Sequence, residues 1–161
     1  MSIQETAIKF GDTLTWNQKI DMVDLINECL GLGASDKALT PLMVFLHTDS
    51  SKLPPDEYKA LAHTSLANYV IYMAKKAGVE LKVDGNEMMG DIAIRFGKSL
   101  DFEQKEMLNE LLEYCMTIGG DEENLAPFWV FTDVAKFEEH WNSVSGSVKV
   151  GAKFGMNVGR N

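Results

Sequence analysis

His47, Asp49 and His63 are the side chains whose types come nearest to a ligand set, since two imidazoles and a carboxylate can hold a transition metal. Their spacing matches no HExxH or comparable helical pattern, and they fall on two predicted helices and the loop between them. An enzyme or metal protein built on these three residues is therefore carried only as a third reading. Cys29 and Cys115 lie inside apolar helical patterns. A nucleophilic cysteine needs an electropositive, partly open setting with a base nearby, so both read as reduced structural thiols. Asp121, Glu122 and Glu123 suit a solvated loop at the start of a helix, and they lack the alternating order of a calcium loop. His140 follows Glu138 and Glu139 near a predicted helix end, where a cation complements the helix dipole. Phosphate-loop, dinucleotide and GxSxG signatures do not occur, although the stretch around Ser145 and Ser147 superficially invites the last comparison. No catalytic residue, metal or cofactor is assigned.

The elements that must position such residues come from a chain of 161 residues, 45% apolar and 24% charged. That length suits one compact domain, or two small ones sharing a core, without need of disulfides. No apolar run approaches the ~18–20 residues of a membrane span. The opening MSIQETAIKF carries Glu5 and lacks the basic-then-apolar order of a secretion signal, so a cytoplasmic location is expected, or a host cytoplasm or virion if the protein is viral. Net charge is −9. Residues 144–161 contain Lys149, Lys153 and Arg160 and no acid; removing those three charges leaves −12 on residues 1–143. An acidic body repels a phosphate backbone, which argues against direct nucleic-acid binding.

The sequence repeats itself at a displacement of 86. Ala7-Ile-Lys-Phe-Gly-Asp-Thr-Leu-Thr-Trp-Asn-Gln-Lys returns as Ala93-Ile-Arg-Phe-Gly-Lys-Ser-Leu-Asp-Phe-Glu-Gln-Lys. Without a gap the register goes on to pair Cys29 with Cys115, Gly33 with Gly119, Pro41 with Pro127 and Phe45 with Phe131, giving 14 identities over positions 7–45. A match that includes Gly, Pro and Cys points to duplication rather than to two similar amphipathic helices.

Each copy reads as helix, tight turn, helix, loop, helix. Ser2 and Glu5 have capping-box order, and Gly11 and Gly97 stand where a helix would need a left-handed C′ residue. Thr15 with Gln18, and Asp101 with Gln104, open the second helices. Trp16, Ile20, Val23, Ile26 and Leu30 follow at spacings of three and four, as do Phe102, Leu108, Leu111, Leu112 and Cys115. Gly33 and Gly119 end them, and Pro41 and Pro127 suit the first turn of a third helix. Leu42 to Leu46 could equally be a buried strand. The first copy then continues into a predicted helix over about 56–77 and an extended link over 79–83, while the second runs on as helix to about Trp141. Among the methionines, Met22, Met73, Met107 and Met116 fit core stripes; Met88 and Met89 suit the core or an adaptable contact surface.

From position 147 the pattern changes to strict alternation. Val148, Val150, Ala152, Phe154, Met156 and Val158 are apolar, and the residues between them are polar or glycine. Period two is the signature of a strand with one buried face. Gly151, Gly155 and Gly159 also form a small-xxx-small spacing, but a helix would scatter the apolar residues, and each glycine would cost it up to ~1 kcal/mol. A lone strand with an oily face must find another surface.

The expected class is mainly α: two tandem copies of a helical unit packed about a pseudo-twofold, with an extended C-terminal arm. The divisions are 1–86, including the extra helix about 56–77, then 87–143, then the arm 144–161. The expected role is a non-enzymatic interaction or assembly protein. Its arm would dock on a partner or a second copy through the six apolar residues with Lys149, Lys153 and Arg160. A small acidic regulator, of phage origin for instance, that covers a basic site on a nucleic-acid enzyme is the alternative.

Overall fold

Local capping sets the register of the helices. The computed structural model describes residues 2–43, Gly78 and residues 88–143. Helix α1 (Ile3–Thr13) starts where the Glu5 amide donates to Ser2 Oγ at 3.1 Å. Helix α2 (Trp16–Gly31) starts with a complete capping box: the Gln18 amide donates to Thr15 Oγ1 (3.1 Å) and the Thr15 amide to Gln18 Oε1 (2.8 Å). Helix α3 spans Asp36–Met43. After Met88 come α4 (Met89–Ser99) and α5 (Phe102–Thr117), whose bounds are those of α1 and α2 displaced by 86. The capping box recurs at Asp101 and Gln104, with bonds of 2.8 and 3.0 Å. The chain then stays helical through α6 (Ala126–Trp129), a 3-10 turn (Val130–Asp133) and α7 (Val134–Ser143). The described residues are mainly helical and contain no strand.

Both long helices end as expected. Gly33 (φ 106°) and Gly119 (φ 121°) take the left-handed conformation, and the amides of Ala34 and Gly120 reach back to the carbonyls of Cys29 and Cys115 at 3.0 and 2.8 Å. Three local readings are corrected. Gly11 and Gly97 are not helix stops: α1 and α4 run two residues further, and both glycines are buried within them. At Gly97 the reason is close packing, since a Cβ there would lie 2.6 Å from Val134 Cγ2 and 3.3 Å from Phe131 Cα. Pro41 sits inside α3 rather than at its first turn, because Ser35 Oγ accepts the Ala38 amide (3.1 Å) and starts the helix earlier. Pro127 does occupy a first turn. Phe102 is 74% exposed rather than part of the buried stripe. It stands at the first position of α5; at the matching place in α2, Trp16 packs partly against the core and under the Lys19 ammonium, 4.3 Å from its ring centre.

Packing is crossed between the halves. Helix α1 lies on α5, and α4 lies on α2. Phe10, Phe96, Phe128 and Trp129 are the bulkiest fully buried side chains, wrapped by Met22, Leu25 and Ile26 from α2 and by Leu108, Leu111 and Leu112 from α5. Phe96 meets Phe128 edge to face at 6.2 Å. Met107 is also core, and Met88, Met89 and Met116 pack partly against it.

Two buried glutamines tie the crossing. Gln18 Nε2 donates to the Ser99 carbonyl at the end of α4 (3.0 Å), and Gln104 Nε2 donates to the Thr13 carbonyl at the end of α1 (3.1 Å). The two amides also approach each other, Gln104 Nε2 to Gln18 Oε1, at 3.4 Å. Each glutamine therefore caps its own helix with its oxygen and holds the other half with its nitrogen.

The residues predicted as helix over about 56–77, the link 79–83 and the arm 144–161 lie outside the described residues. Gly78 alone of the first two stretches' surroundings is described, in a turn at φ 79°.

Candidate functional site

Two surface concavities are candidates, one polar and one apolar. The polar cleft, about 460 Å³, opens where α2 begins against the end of α4. At its centre Arg95 grips Asp21 through both forks, Nη2 to Oδ1 at 2.6 Å and Nε to Oδ2 at 3.2 Å. The Asp21 side chain is 5% exposed and that of Arg95 48%. A buried carboxylate requires such a partner, so the guanidinium charge is committed to Asp21 rather than offered to an incoming anion. Thr15 and Ser99 also line this cleft, but Ser99 Oγ is held by the Phe96 carbonyl, to which it donates at 2.7 Å. The carboxylate that lines the cleft with these hydroxyls, Asp21, is the one held by Arg95.

The apolar groove, about 570 Å³, runs between α1, α3 and α5. Ile3, Ala7 and Ile8 form one wall, Pro41 closes an end, and Tyr114 and Ile118 form the other wall. Ile8 and Tyr114 are 40% and 39% exposed, and with Phe102 they are the exposed large hydrophobics among the described residues. Thr6 Oγ1 donates to Glu110 Oε2 (3.3 Å) beside it, fixing α1 against α5. The outer face of α5 carries Glu103, Glu106, Glu110 and Glu113 against Lys105 alone. The groove can take an apolar side chain between these walls, and Gln4, Lys37 and Thr40 supply its polar lining.

The cysteines behave as their pattern suggested. Both are buried and unoxidised. Burial first, with the charges of Glu28 and Cys115 adding to it, pushes the Cys29 thiol well above its ordinary range. Burial likewise pushes Cys115 up to about 12. Neither is a thiolate near neutral pH, so neither is poised as a nucleophile or ligand.

Other sequence candidates divide by position. His47, Asp49 and His63 lie outside the described residues, as do all nine arm residues: Val148, Val150, Ala152, Phe154, Met156 and Val158, with Lys149, Lys153 and Arg160. His140 is exposed in the last turn of α7, its ring stacked on Phe137. Asp121 caps a turn in which its carboxylate accepts the Asn124 amide (2.7 Å) and its own amide donates to Asn124 Oδ1 (2.9 Å). Among the described residues no three His, Cys, Asp or Glu side chains gather as a metal set, and no helix is long and apolar enough to cross a membrane.

The sequence reading did not find the groove. The usable signal was Tyr114, an aromatic displaced by 86 from Glu28, and Gln4, displaced by 86 from Gly90. Comparison of the chain with protein-family models, with curated proteins and with solved structures finds no match. The functional argument therefore rests on the residues themselves.

Proposed function

We propose that this chain is a non-enzymatic interaction or assembly protein whose C-terminal arm, residues 144–161, docks on a neighbouring subunit or partner. Its body is read as two tandem copies of one helical unit, residues 1–86 and 87–143, packed about a pseudo-twofold. The 86-residue displacement of the helix bounds and the reciprocal Gln18 and Gln104 bonds support that reading. The observation that carries the function is the arm's alternation in sequence: six apolar residues at every second position and three cations, with no acid, on a chain whose remainder is strongly acidic. Compact bodies with docking arms recur in large symmetric particles, and a viral or other assembly in the cytoplasm fits by analogy.

Deleting residues 144–161 is the test. The expected result is a helical monomer that no longer associates; an unchanged mass by light scattering, with every partner retained, refutes the reading. The −12 body favours one alternative, a small acidic regulator covering a basic site on a nucleic-acid enzyme. That reading requires binding to survive the deletion and to weaken steeply with salt.

A further inference from the structure

We draw no further inference here: the strongest candidate, the groove between α1, α3 and α5 at which Ile8 and Tyr114 stand exposed, carries none because nothing in the structure shows what covers it.

Discussion

Replacing Gln104 by Glu separates a helix cap from a clamp between halves. A capping box tolerates Glu as readily as Gln at its third position, because only the side-chain oxygen is used. Here Gln104 Oε1 accepts the Asp101 amide at 3.0 Å, but Nε2 donates to the Thr13 carbonyl at 3.1 Å and faces Gln18 Oε1 at 3.4 Å. In Gln104→Ala two well-formed bonds disappear. At about 0.5–1.5 kcal/mol each, the loss is about 1–3 kcal/mol, or roughly 2–4 °C of melting temperature per kcal/mol in a domain of this size. Gln104→Glu keeps the cap and replaces the donor by an anionic oxygen aimed at two acceptors. It should cost more than Gln104→Ala at neutral pH, although it is the smaller chemical change. Unfavourable surroundings raise the pKa of that new carboxyl, so the deficit is present above the ordinary Glu value of about 4.3 and shrinks as pH falls through the raised folded value, where the protonated acid can donate again. Urea denaturation followed by far-ultraviolet circular dichroism, read as the difference from wild type at each pH, measures this. A Gln104→Glu protein as stable as wild type at pH 7 would refute the clamp.

Glycine substitutions test the packing over α4. Gly97→Ala forces a methyl against Val134 and the Phe131 backbone and should destabilise by about 1–3 kcal/mol. Gly31→Ala, at the end of α2 with nothing within 4 Å and no positive φ, should be neutral or stabilise by up to about 1 kcal/mol in the same thermal melts. The cysteines set an alkaline limit: their folded values lie above the unfolded thiol value of about 8.5, so stability is level below that pH and falls above it, by at most about 1.4 kcal/mol per pH unit per thiol. Cys115→Ala should flatten that slope in denaturation curves taken between about pH 8 and 10; an unchanged slope counts against burial as the cause of the shift.

Features set by neighbouring residues were legible in the sequence. Thr15 with Gln18 and Asp101 with Gln104 announce helix starts because the bonds span three residues, and Gly33 and Gly119 announce ends because only a left-handed residue closes that turn. The mainly helical class followed from those signals and the three-four spacing. Gly11 and Gly97 carry the same letter as the true stops, yet what decides Gly97 is the passage of Val134 and Phe131, more than thirty residues away. Pro41 suggests a later start for α3 than the true one, which the Ser35 hydroxyl sets by capping the Ala38 amide. The crossed pairing runs through bonds between residues 81 and 91 positions apart, which no local pattern encodes. The groove likewise is lined by residues of α1, α3 and α5 together, a property of the assembled helices and of no single stretch.

Ile8 and Ile94 are the same residue at matching positions of two helices with nearly the same surroundings in sequence, yet one is 40% exposed and the other 8%. The pair is a control built into the molecule. Placing Glu at position 94 buries a carboxylate beneath α7 and removes a buried isoleucine, a cost of about 3–5 kcal/mol. At position 8 the carboxylate can turn toward water, and the loss should be about 1 kcal/mol, from partial apolar burial alone. Chemical denaturation of the two single variants measures the difference directly. Equal losses would mean that the α1 face is as closed as the α4 face, and the groove would then not be open to solvent at Ile8. A small loss for Ile8→Glu against a large one for Ile94→Glu would trace the difference to the cover that α7 gives α4, since the two isoleucines are otherwise matched in helix and position.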